Sequence, residues 1–112
     1  MTNITYHAGW NCSITIEGHA CAERTAGGSD LCCAAESMLA CTLVDTVKKL
    51  PLPHRYIYVT EGYVYVSFGI FGIAGLAALA ALMTVVNGYK LLTERYPDNV
   101  SVKKQRRLVK SE

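Results

Sequence analysis

From Tyr63 to Tyr89 the chain carries no charged residue, and that run constrains the fold more than any other feature. It is long enough to span a bilayer, yet its internal pattern divides it. Tyr63-Val64-Tyr65-Val66-Ser67 alternates with period two and is rich in aromatic and β-branched residues, as a strand should be. Gly69 and Gly72 then separate it from an Ala- and Leu-rich segment that reads as a helix from about Ile73 to Arg95. We therefore expect a strand and a buried helix rather than a membrane span. A helix apolar around most of its circumference must be covered on more than one side. A chain of 112 residues with one sheet supplies one cover, so the expected second cover is another copy of the same helix, giving a homodimer. The small residues Ala74, Gly75, Ala77, Ala78, Ala80 and Ala81 permit close approach.

The strand before that helix has a partner. Tyr56-Ile57-Tyr58-Val59-Thr60 precedes Glu61-Gly62, a two-residue hairpin turn. Ile57, Val59, Val64 and Val66 share a parity that suits the core. Tyr56, Tyr58, Tyr63 and Tyr65 would then form a ladder on the other face, either as cross-strand pairs or as a platform that stacks bases or grips a peptide. A second hairpin is expected at the N-terminus, from Asn3–His7 and Ser13–Glu17 about a turn at Ala8–Asn11. Here Ile4, Tyr6, Ile14 and Ile16 face inward. Between the hairpins, Leu31, Ala35, Leu39, Leu43, Val47 and Leu50 recur at helical spacing, with Ser29 or Asp30 as the cap and Pro51 as the stop. Glu36, Asp45, Lys48 and Lys49 read as residues of the outer face. After Tyr96-Pro97, Val100–Val102 reads as a last edge strand.

The expected class is α+β: a small mixed or antiparallel sheet of four to five strands, two helices, in the order β-β-α-β-β-α(-β). One domain over residues 1–102 is followed by a basic tail, 103–112. Hydrophobic residues make up 51% of the chain and charged ones 18%, the balance of a folded domain rather than a disordered one. Lys and Arg exceed Asp and Glu by 11 to 9, too small an excess to imply a polyanionic partner, although Lys103, Lys104, Arg106, Arg107 and Lys110 gather in the tail. Five cysteines without a CxxC pair, and no basic-then-apolar start, lead us to expect reduced thiols and a cytoplasmic protein.

The chemistry concentrates between the first hairpin and the first helix. Gly18-His19-Ala20 places an imidazole at the exit of a strand. A loop ending in Gly27-Gly28 leads to Asp30-Leu31-Cys32-Cys33-Ala34-Ala35, where thiols open a helix. A helix N-terminus favours an anion, so a cysteine in the first turn becomes a better thiolate and a nearby His can take its proton. A thiol of pKa ~8.5 is about 3% ionised at pH 7, whereas one of ~6.5 is about three-quarters ionised. A metal site drawn from His19, Cys21, Cys32 and Cys33 lacks the spacing of known zinc frameworks. No cofactor is expected.

These residues, Gly18-His19-Ala20, Asp30-x-x-Cys33-Ala34-Ala35 and Ser37, with Tyr96-Pro97 downstream, resemble the ribosomal-processing cysteine protease family, Prp, over about Ile4 to Val102. The resemblance implies Cys33 as nucleophile and His19 as general acid and base. Asp30, Ala34, Ser37, Gly27 and Gly28 would be supporting, oxyanion or substrate residues, and the loop Cys21–Ser29 a mobile lid. It also selects Cys33 over Cys32, and implies a homodimer. The implied substrate is a short N-terminal extension of a large-subunit ribosomal protein, or of a phage protein bearing a similar one, with possible ribosome association. Two departures stand near the implied substrate channel: the loop from His19 to Cys33 is longer, and Glu36 replaces a small apolar residue. The alternative from another class is a non-catalytic ribosome- or RNA-binding module using the tyrosine face and the basic tail.

Overall fold

Two hairpins and two helices form where the patterns place them, and the way their apolar faces meet builds the core. The structure, a computed structural model, describes residues 2–18, 27–52 and 54–105. The elements in chain order are β1 (Thr2–His7), β2 (Asn11–Glu17), α1 (Gly27–Lys49), β3 (Tyr56–Thr60), β4 (Tyr63–Gly69), α2 (Gly72–Arg95) and β5 (Val100–Lys104). They form an α+β fold with one five-stranded sheet of order β3-β4-β2-β1-β5. All pairings are antiparallel except β1 with β5, which is parallel, so the sheet is mixed.

The register joins the two hairpins in the middle of the sheet. Ile4 lies opposite Ile16, Ile16 opposite Val64 and Val64 opposite Val59. One face therefore carries Ile4, Tyr6, Ile14, Val66 and Phe68, which join Leu43 and Val47 of α1 and Leu82, Val86 and Tyr89 of α2 in a single core. The two-residue turn at Glu61-Gly62 requires a residue that accepts positive φ, and Gly62 has φ 78°, at no Cβ cost. At the far edge, the Gln105 N–H donates to the Tyr6 carbonyl at 2.7 Å. Pairing thus continues through Lys103 and Lys104, two basic residues that the sequence assigned to a tail.

The opposite face of the sheet bears the tyrosines, as the alternation predicts. Tyr56 meets Tyr65 in a tilted pair and Tyr58 meets Tyr63 edge to face, each with ring centroids 5.9 Å apart. These are diagonal neighbours across the hairpin, a stabilising arrangement for aromatic pairs. The same face carries Glu17, Thr15 and Ser13 of β2, Thr5 of β1 and Lys103 of β5.

The first helix departs from expectation at its start and in its orientation. It begins at Gly27, so Ser29 and Asp30 lie inside it and neither is its cap. Cys33 therefore sits in the second turn, not the first. The buried stripe is Cys32, Glu36, Leu43 and Val47, while Leu31 is 68% exposed. The reason is geometric. Leu31 and Val47 linked by repeated four-residue steps are rotated about 160° apart at 3.6 residues per turn, whereas Cys32 and Val47 differ by only about 60°. Glu36, placed outward from the sequence, is accordingly 8% exposed. At its other end α1 is closed by the Arg55 guanidinium, whose Nη1 donates to the carbonyls of Val47, Lys48 and Leu50 at 2.7–3.0 Å. A cation there also complements the helix dipole.

Helix α2 buries Gly75, Ala78, Leu82, Val85, Val86 and Tyr89 and leaves an apolar outer stripe that includes Ile73, Leu76, Met83 and Leu91. By length and composition alone this helix is apolar enough to cross a membrane; in the fold its inner face completes the core.

Candidate active site

Cys33 lines a cavity of roughly 130 Å³ with Gly18, Glu36, Ser37, Gly62 and Tyr63. Four elements build it. Helix α1 supplies Cys33, Glu36 and Ser37 from adjacent turns, because residues three and four apart share a helix face. The end of β2 supplies Gly18, with φ 99°, and the β3–β4 turn closes over it where the Gly18 N–H donates to the Gly62 carbonyl at 2.9 Å. Thr2 of β1 completes the floor.

Adjacent thiols meet different surroundings here. Cys32 is fully buried, and its Sγ–H donates to Glu36 Oε2 at 3.2 Å. Burial, then the hydrogen bond and negative charge of Glu36, push its thiol up to about 12. Such a group is a neutral packing residue at physiological pH. Cys33, one residue and about 100° further around the helix, is half-buried and faces the cavity. It is disulfide-bonded, whereas Cys12, Cys32 and Cys41 are free. The expectation of reduced thiols is corrected at this position, and Cys32 being free means the bond is not between the adjacent pair. A sulfur in a disulfide is not a nucleophilic thiolate, so attack by Cys33 requires prior reduction.

Glu36 is the residue that the sequence placed wrongly, and it ties three elements together. Its carboxylate accepts from Thr2 Oγ1 at 2.8 Å as well as from Cys32. Its backbone carbonyl accepts from the Tyr89 hydroxyl at 2.9 Å. Burial and the nearby Glu36 charge raise the Tyr89 phenol well above its usual range. A buried carboxylate needs such partners, and they come from β1 and α1, so nothing local in the sequence announces them. The one visible signal was that Cys32 and Glu36 stand four apart, in phase with Leu43 and Val47.

Of the other candidate residues, Ser37 lines the cavity beside Cys33, and Ala34 is exposed on the helix away from it. Gly27, Gly28 and Asp30 form the first turn of α1, so the two glycines belong to the helix rather than to a lid. With Cys33 in the second turn, its own N–H belongs to the helical ladder rather than to the open donors of the first turn. His19, Cys21 and the lid residues that follow it up to position 26 lie outside the described residues. Among the described residues no cluster of His, Cys, Asp and Glu could hold a metal ion.

The family model described as cysteine protease Prp matches residues 1–101. Among solved structures, the chain is similar to the essential ribosomal processing protease Prp from S. aureus in complex with a covalently linked product peptide. That match has TM-score 0.75 and 16% identity over 94% of this chain and 100% of that one. A complex of the S. aureus protein with a substrate peptide gives 0.74 and 16% over the same shares. SMU.848 from Streptococcus mutans gives 0.68 and 21%, over 96% of each chain. At these identities the likeness is one of fold. No curated protein matches the chain.

Proposed function

The chain belongs to the cysteine protease Prp family, and from that premise we propose that it removes a short N-terminal extension from a large-subunit ribosomal protein, or from a phage protein bearing a similar one. Cys33 is the nucleophile in this reading and His19 its general base. The thiolate attacks the scissile carbonyl, the peptide C–N bond breaks with His19 protonating the leaving amine, and water then hydrolyses the thioester. The observation that carries this assignment is that Cys33 and Gly18, the residue immediately before His19, line one cavity. Cys32 next door is neutral and bonded to Glu36, which leaves Cys33 as the thiol of the pair that substrate can reach. Ser37, on the same wall, is placed to contact substrate. The peptide-bound S. aureus structures, alike in fold, lend support to a peptide as substrate.

In the same reading the working form is a cytoplasmic homodimer, paired through the uncovered stripe of α2, that meets its substrate at the ribosome. The tyrosine rings of the outer sheet face pair with one another, the geometry of cross-strand packing, which favours the protease reading over the RNA-binding alternative.

The test uses a synthetic peptide spanning the N-terminal extension of the ribosomal protein. Reduced protein cleaves it, and protein kept oxidised does not. Cys33→Ala and His19→Ala each lower the rate by a factor on the order of 10³ or more, while Cys32→Ala retains it within a fewfold. Cleavage that persists in Cys33→Ala would refute the assignment.

A further inference from the structure

Glu36 is a buried charge to which the protease reaction gives no part, yet it stands beside the nucleophile. It follows Cys33 by three residues on α1, and both line the same cavity. Side chains at that spacing leave the helix about 5–6 Å apart. The Glu36 carboxylate accepts from Thr2 Oγ1 at 2.8 Å and from Cys32 Sγ at 3.2 Å, and such donors favour its charged form. That charge acts on two elements, adding to the upward push on the Cys32 thiol of α1 and on the Tyr89 phenol of α2. Tyr63 of β4 is the other titratable group of the described cavity wall. Glu17 and Glu61, each next in the chain to a wall glycine, are exposed and also acidic. His19 follows Gly18 in the sequence. A thiolate at Cys33 would thus form beside an existing negative charge, which like charges disfavour. Its place in the second turn also weakens the help of the helix dipole, which fades beyond the first.

We propose that Glu36 governs the reactivity of the nucleophile, its buried carboxylate holding Cys33 as a neutral thiol at neutral pH once the disulfide is reduced. Glu36 acts through Cys33 rather than on the substrate. The proton leaves Sγ for His19 as the S–C bond forms and the carbonyl π pair moves to oxygen, so the thiolate exists only as attack begins. This step rests on the protease reading above, whereas the effect of Glu36 on the thiol does not. A small apolar residue at this position, the pattern of the resembled family, would leave the thiol without that neighbouring charge.

The test is the pH profile of Cys33 alkylation by iodoacetamide in the full chain after reduction by a phosphine, from about pH 5.5 to 10.5. Fragmentation mass spectrometry separates Cys33 from Cys32, and no other thiol enters the readout. Wild type gives a midpoint at or above the ~8.5 of a free thiol. Glu36→Gln and Glu36→Ala, each checked for folding by circular dichroism, lower that midpoint by about one pH unit or more. Alkylation at pH 7 then rises about threefold or more, because a tenfold gain in thiolate is partly offset by the weaker nucleophilicity of a more acidic thiol. Glu36→Asp, which keeps the charge, keeps the midpoint near that of wild type. A residue that only supported packing would change the rate by one factor at every pH and leave the midpoint in place. A midpoint unmoved in either folded neutral variant, or lowered equally in Glu36→Asp, or below pH 7 in wild type, overturns the proposal. In cleavage of the extension peptide, the acid limb of kcat/KM moves down with the alkylation midpoint. Reduced wild type that fails to cleave, while the alkylation midpoint moves as expected, removes the protease reading and leaves the assignment of Glu36 standing.

Discussion

At Cys32 and Cys33 two adjacent thiols receive opposite fates from a rotation of about 100° around one helix. Cys32 turns into the core against Glu36 and its thiol rises to about 12, while Cys33 turns toward the cavity. The consequence for stability has a definite sign. Below about pH 8.5 the thiol of residue 32 is neutral in both folded and unfolded chains, and its contribution is fully present. Between about pH 8.5 and 12 the unfolded chain ionises first, so stability falls as pH rises, at most by about 1.4 kcal/mol per pH unit from this one group. Urea midpoints taken from pH 8 to 10.5 therefore decline in wild type and decline less in Cys32→Ala. An equal slope in the two proteins would mean that Cys32 is not held neutral by the fold.

Among the elements, the contact between α1 and α2 sets the shape of the site. At their crossing a methyl on Gly88 would come within 2.8 Å of Leu39 Cδ2, so the helices approach as closely as a missing side chain allows. The Tyr89 hydroxyl then reaches the Glu36 carbonyl and fixes the rotation of α1 that buries Cys32 and turns Cys33 outward. Tyr89→Phe removes that bond and leaves the ring in place. The expected cost is about 1 kcal/mol, measured by urea unfolding, accompanied by faster alkylation of Cys32. At this scale much was legible in the sequence. The two hairpins, their inward parity, the Glu61-Gly62 turn and the extent of α2 follow from alternation, turn chemistry and helical spacing, all of which are local. The start and phase of α1 were not legible. Its apolar residues allow two stripes, and tertiary partners chose the one containing a glutamate.

For the whole molecule, the apolar outer stripe of α2 matters most. Ile73 is 86% exposed and Leu76 59%, on a helix without a charge until Lys90. A second copy of that stripe would remove these side chains from water, each worth about 1.5–3 kcal/mol when fully buried. Sedimentation velocity at micromolar concentration should give a dimer for wild type and a monomer for the Ile73→Glu, Leu76→Glu double variant, with the circular dichroism of both unchanged. A wild-type monomer would count against the dimer. The sequence by itself determined the order of the elements along the chain, the alternation within the strands, the two helices and the family, because those depend on periodicity and on motifs within a few residues of one another. Only the tertiary structure decided that Glu36 is buried, that Cys32 is neutral, that Cys33 is disulfide-bonded, and that Cys33 and Glu36 line one cavity with Gly18 and Tyr63. Each of those depends on which atoms from distant parts of the chain come within a few ångströms, and no local pattern encodes that distance.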